Sequence, residues 1–172
     1  MGMIGLNNIL EKDKKRYAGK IPIFQVLYRK SQTTKYLPLK LIYKILFRIF
    51  RERKHIELSS DTKIGEGLYI GHPYAITINS RSVIGKNCNI HKGVLIGQEN
   101  RGKRKGTPII GDNVWIGINS AIVGAVHIGN DVLIAPNSYV NCDVPDHSVV
   151  IGNPCVIKHR DNATEGYINR IV

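Results

Sequence analysis

Aliphatic residues return at every sixth position over much of this chain, a period that neither an α-helix nor an alternating strand produces. Ile110, Ile116, Ile122, Ile128, Ile134 and Val140 are spaced in this way. An earlier block keeps the step through Leu58, Ile64 and Ile70, slips by two residues, and resumes at Ile78, Ile84, Ile90 and Ile96. The aliphatic residue is often followed by glycine, and the fifth place tends to be small or β-branched, as in IGDNVW, IGINSA and IGNDVL. Each unit spells a short strand and a turn. Self-similarity at so short a period predicts a parallel β-helix. Three units make one triangular coil of about eighteen residues, with the aliphatic residues of successive coils stacked inside. Gly and Asn at the corners supply the positive φ that tight turns require.

Residues 1–56 follow a different period. Leu41, Ile42, Ile45, Leu46, Ile49 and Phe50 form a stripe, while Lys40, Lys44, Arg48 and Arg51 line the other side, which predicts an amphipathic basic helix. Pro38 suits its first turn, whereas Pro22 and the SQTT stretch from Ser31 mark earlier breaks. The stripe is expected to pack on the base of the β-helix and cover strand edges there. A second, compatible reading is attachment to an anionic membrane surface. The expected division is a basic helical segment over 1–56, a β-helix over 57–160 with a loop at 97–109, and a tail over 161–172.

Charge sharpens that division. Residues 1–56 hold 14 Lys+Arg against 3 Asp+Glu, and residues 57–172 hold 11 against 10, so nearly all of the net +12 lies in the first segment. Nucleic-acid binding is excluded, because neither aromatic platforms nor a reading motif accompany the charge. No apolar run is long enough to span a bilayer, and the start MGMIGLNN lacks a signal-peptide core. Cys88, Cys142 and Cys155 lack CxxC spacing, which suggests neither a disulfide framework nor a zinc site. A cytoplasmic protein is expected, with peripheral contact on the inner face of the membrane. Cys88 and Cys142 are expected at small-residue positions of the repeat.

The stretches LYIGHPYAITIN, TPIIGDNVWIGINSAIVG and VPDHSVVIGNP resemble the hexapeptide-repeat acyltransferases. Their closest likeness is to the serine acetyltransferase branch, which includes sugar and capsule O-acetyltransferases. The resemblance covers residues 57–160. It implies a left-handed β-helix, an exception to the usual right-handed crossover. It also implies a homotrimer with active sites between subunits, acetyl-CoA as co-substrate and no metal.

Acetyl transfer from a thioester to a hydroxyl needs a base for the hydroxyl proton and donors for the tetrahedral oxyanion. His72 stands just before the two-residue slip, where a regular coil pushes residues out of its wall. The catalytic histidine of the serine acetyltransferases occupies the matching place, so the resemblance assigns His72 as general base. It also assigns Glu57, fifteen residues earlier, as the carboxylate that orients the imidazole, where the family carries aspartate. Members specific for serine carry an aspartate directly before that histidine and an Arg-His pair in the following loop. Here these places read Gly71, Gly106 and Thr107. The departures lead to an expectation that the acceptor is a saccharide of surface polysaccharide assembly rather than serine. Gly71 and Thr107 are then candidate acceptor-binding residues, Thr107 as a hydrogen-bonding group.

The resemblance places coenzyme A in a groove between two β-helices, against Gly117 and Ala135, with Lys158 and Arg160 near its nucleotide phosphates. In the segment QENRGKRKGTPI the beat is lost, which describes an excursion from the coil. Its cluster of Arg101, Lys103, Arg104 and Lys105 could draw the same phosphates or an anionic acceptor. Cys155 replaces the alanine of a GNPA turn, and no histidine is placed to activate it as a nucleophile. Two other classes stay in view. Zinc-dependent carbonic anhydrases share the β-helix but need closely spaced histidines, whereas His72, His91 and His127 are far apart and the last two read as coil surface. A non-catalytic trimeric binding module is the other. Serine O-acetylation is the alternative within the enzyme class.

Overall fold

The six-residue beat closes into a three-sided parallel β-solenoid of about five turns, preceded by three helices, α1 (Ile4–Lys15), α2 (Ile23–Thr33) and α3 (Leu37–Glu52). The structure, a computed structural model, describes residues 4–172, so the start MGMIGLNN falls partly outside it. Face A stacks Glu57–Leu58, Thr77–Ile78, Leu95–Gly97, Ala121–Val123 and Tyr139–Val140. Face B stacks Lys63–Ile64, Val83–Ile84, Ile109–Ile110 and His127–Ile128. Face C stacks Tyr69–Gly71, Asn89–His91, Val114–Ile116, Val132–Ile134 and Ser148–Ile151, and ends on the antiparallel strand Val156–His159.

Register follows the beat. Ile78 pairs with Ile96, Ile110 with Ile128, and Ile116 with Ile134, eighteen residues apart wherever the repeat is unbroken. These residues are buried, so each turn stacks its aliphatic layer on the one below. Asn87, Asn113, Asn119 and Asn137 take positive φ at the corners.

The first turn needs a cover, because a free strand edge leaves N–H and C=O groups unpaired. α1, α2 and the segment between them supply it with polar side chains. The Arg29 guanidinium donates to the carbonyls of Ile64 at 2.8 Å and Gly65 at 2.6 Å. Gln25 donates to Leu68 O at 2.9 Å, and the Tyr28 hydroxyl to Thr62 O at 2.7 Å. Conversely, the Leu68 N–H donates to Asp13 at 3.0 Å, and the Ile70 N–H to the Tyr17 hydroxyl at 2.8 Å. Asp13 is fully buried and lies 2.7 Å from Arg29, so the charge is paired where water is excluded.

α3 departs from expectation. Its Phe47 is buried, and Tyr43, Leu46 and Phe50 pack on the core, whereas Leu41, Ile42, Ile45 and Ile49 are exposed. At 3.6 residues per turn the predicted stripe spreads over about half the helix circumference, too wide for one contact with α2 and the solenoid. α2 continues through Thr33, so its break falls at the end of SQTT. Among the described residues, no helix is long and apolar enough to cross a membrane.

The tail turns back along the solenoid. The Asp131 carboxylate accepts from the N–H groups of Ala163 at 2.9 Å and Thr164 at 3.0 Å. Tyr167 then stands edge-on to Trp115 at 5.1 Å, and the Val172 N–H donates to the Asn87 side chain at 3.0 Å.

Candidate active site

The two-residue slip forms the corner between Tyr69–Gly71 on face C and Thr77–Ile78 on face A. His72 and Ala75 both take φ of 53° there, a conformation that costs a non-glycine residue about 1–2 kcal/mol. The next turn and the segment after α3 hold the corner. The Ala75 N–H donates to Lys54 O at 2.9 Å, the Gly93 N–H donates to Tyr74 O at 3.1 Å, and the His55 ring meets Tyr74 at 5.2 Å. His72 is therefore an exposed imidazole on a strained, pinned corner.

The same edge of the prism continues upward through His91, Gly117 and Ala135. The N–H groups of Gly117 and Ala135 donate to Ile134 O and Val150 O, both at 2.8 Å, and so are spent within the coil. His91, expected on the surface, is half-buried. Its Nδ1 lies 2.9 Å from Ile116 O and its ring 4.7 Å from Trp115. A carbonyl only accepts, so Nδ1 carries the proton and Nε2 is the acceptor. Burial lowers the pKa of this imidazole, against the hydrogen bond to Ile116 and with help from nearby His72.

A cavity of about 250 Å³ adjoins His91, lined by Arg16, Tyr69, Asn89, Trp115, Tyr167 and Arg170 among others. Buried Arg16 donates to Gly67 O at 3.0 Å, to the Asn89 side chain and to Asn169 O, all of them neutral. Burial lowers its pKa. Nothing in the sequence flags this cavity, because the segment after α1, three solenoid turns and the tail each contribute to it.

The other predicted residues are dispersed. Glu57 is exposed on the first strand of face A, and no hydrogen bond joins it to His72 among the described residues. Thr107 follows the excursion at the corner between faces A and B, where its hydroxyl donates to Arg81 O at 3.3 Å. His72 and Thr107 thus occupy different corners of one chain. The excursion is a closed loop. Glu99 and Gly106 exchange backbone hydrogen bonds at 3.0 Å, and Arg104 O accepts from the Ala125 N–H at 2.9 Å. Arg101, Lys103 and Arg104 line a cavity of about 580 Å³, with exposed Lys105 beside them. Lys158 and Arg160 are exposed at the far end of face C.

Both glycines at places where serine-specific members carry side chains have local causes. A Cβ on Gly71 would lie 2.6 Å from Cδ2 of His91. Gly106 has φ of 144°, and a Cβ there would lie 2.9 Å from that of Ala125. Cys88 is buried and Cys142 only partly so, and the Sγ of Cys142 faces that of Cys155 at 3.8 Å, a proximity that spacing alone could not reveal.

Residues 107–142 match the family of bacterial transferase hexapeptide proteins (six repeats). A serine acetyltransferase of Staphylococcus aureus is 36% identical over 111 residues, 64% of this chain and 52% of that protein. The chain thus spans about half the length of that relative. The Neisseria gonorrhoeae serine acetyltransferase in complex with serine superimposes with a TM-score of 0.74 at 24% identity, over 91% of this chain and 70% of the other, a likeness of fold. A serine acetyltransferase in complex with CoA gives a TM-score of 0.63 at 25% identity, over 78% and 55%.

These relatives overturn the expected saccharide acceptor and favour the serine alternative. The expectation treated three absent side chains as a substrate signal. His91 fills the space at Gly71, and the backbone conformation together with Ala125 constrains Gly106, so packing accounts for both glycines.

Proposed function

We propose that this hexapeptide-repeat chain, akin over its solenoid to serine acetyltransferases, transfers an acetyl group from acetyl-CoA to the hydroxyl of serine. The observation that carries the proposal is His72, exposed on a left-handed corner where the repeat slips. In this reading His72 takes the hydroxyl proton while the oxygen attacks the thioester carbonyl. The tetrahedral intermediate collapses with loss of the CoA thiolate, to which the imidazolium returns the proton. O-acetylserine and CoA result. Glu57 orients His72 once substrate draws the two together.

The working unit is a trimer. His72 and Thr107 lie on different corners of one chain, so a site that uses both is built from two chains. Coenzyme A then lies along the edge of Gly117 and Ala135, with Arg104, Lys105, Lys158 and Arg160 toward its phosphates. Gly71 leaves room for His91, whose Nε2 is an acceptor for the ammonium of serine. Peripheral attachment to an anionic membrane face belongs to α3 alone.

The test is CoA release from acetyl-CoA, followed with a thiol reagent, for serine beside other hydroxylated amino acids. Release that depends on serine and is lost in His72→Ala is expected. Release that ignores serine, or that persists unchanged in His72→Ala, overturns the proposal.

A further inference from the structure

The outer side of α3 is apolar and exposed. Leu37 (63%), Leu41 (51%) and Ile45 (60%) follow one another at helical spacing, with Ile42 (51%) and Ile49 (42%) beside them. Lys40, Lys44 and Arg48 run along one flank. Contiguous aliphatic exposure of this kind marks a surface that another body covers.

We infer that this face of α3 docks on an anionic lipid surface. Charge decides between a bilayer and a second copy. Residues 1–56 carry 14 Lys+Arg against 3 Asp+Glu. Glu52 is the one acidic residue of α3 and already pairs with Arg48 at 2.9 Å, while Asp13 is buried with Arg29. Two such helices laid together would oppose a net excess of positive charge, since Lys40, Lys44, Arg48 and Arg51 of α3 outnumber Glu52 and the Asp61 that lies 3.8 Å from Lys44. Anionic headgroups complement the basic flank, and the aliphatic side chains sink to the headgroup boundary as α3, about 24 Å long, lies in the interface plane. Docking would also set the His72 corner close to the membrane. The segment after α3 holds that corner through Lys54 O, and Phe50, Arg53, Lys54 and Pro73 line one apolar cavity.

The test is co-sedimentation of the full chain with vesicles of equimolar phosphatidylglycerol and phosphatidylcholine, and with phosphatidylcholine alone. Sedimentation with the anionic vesicles only is expected. The joint change Lys40→Gln, Lys44→Gln, Arg48→Gln should weaken it about a hundredfold. Leu41→Ser with Ile45→Ser should abolish it and leave the melting temperature near that of the parent, since both positions are exposed. Failure to sediment, equal sedimentation with neutral vesicles, or indifference to either set of changes overturns the inference. So does light scattering that finds paired copies separated by Leu41→Ser with Ile45→Ser, because a second copy would then cover the face.

Discussion

Between Ile110 and Val140 the solenoid climbs without interruption, whereas its lower turns are broken twice, once after Ile70 and once after Ile96. The upper turns repeat one solution to one packing problem, with aliphatic layers eighteen residues apart. In the lower turns, two extra residues turn His72 outward on a left-handed φ, and the loop from Glu99 to Gly106 presents a basic cluster. The contrast separates turns that repeat one core from turns that also carry an outward imidazole and a basic loop. Strain at the His72 corner persists because the next turn and the segment after α3 over-determine it.

The sharpest way to break this contrast is His72→Ala. With His72 as the proposed general base, the change should lower kcat for CoA release by about a hundred- to ten-thousandfold while the urea unfolding midpoint stays in place, because the imidazole is exposed. Equal losses of activity and stability would make the corner structural, like the turns above it.

Next in size is Asp13→Ala. This carboxylate is fully buried and accepts from Arg29 at 2.7 Å, Gln25 at 3.0 Å and the Leu68 N–H at 3.0 Å. Its removal strands a buried guanidinium and opens the lower strand edge, at a cost of about 3–5 kcal/mol. Hydrogen exchange should quicken first around residues 57–71 and last around 110–140. Uniform loss of protection would mean that both halves depend on the same cover.

Gly71→Ala tests why the lower turns lack the acceptor groups expected of them. The added Cβ meets His91, so the substitution should destabilise by about 1–3 kcal/mol, and His91→Ala in the same chain should recover much of that. Additive effects would detach Gly71 from His91 and reopen the question of what position 71 does for the acceptor.

How much of this was legible in sequence follows from how local each cause is. The stacked isoleucines were, because one residue type at one spacing answers one repeated environment. The outward turn of His72 was too, since a slip in a regular coil has few other outcomes. α3 was read as one-sided, because a sequence records which positions are apolar but not which half of them α2 reaches. His91 was misplaced because its surroundings come from Trp115 and Ile116 on the next turn, with Tyr167 of the tail behind them. The polar cover over the first turn was invisible for the same reason, as Asp13, Gln25 and Arg29 find their partners far along the chain.

The smallest effect belongs to the upper turns, where the tail is tied down by Asp131 and His147. Burial alone would raise the Asp131 carboxyl, but hydrogen bonds from Thr164, His147 and Ala163 outweigh it and hold it below its ordinary value. The same contact, 2.9 Å long, raises the pKa of exposed His147. A lowered carboxyl contributes above its unfolded value, about 4, and loses its contribution as pH falls through the folded one. A raised imidazole contributes fully below its unfolded value, about 6.5, and loses its contribution as pH rises through the folded one. Protection of the Ala163 and Thr164 amides, corrected for intrinsic exchange, should therefore peak between these limits. In His147→Gln the alkaline decline should vanish while the acid decline stays. A flat profile, or an alkaline decline that survives the change, would leave the tail's attachment independent of this pair, and the upper turns as insensitive to pH as their aliphatic core.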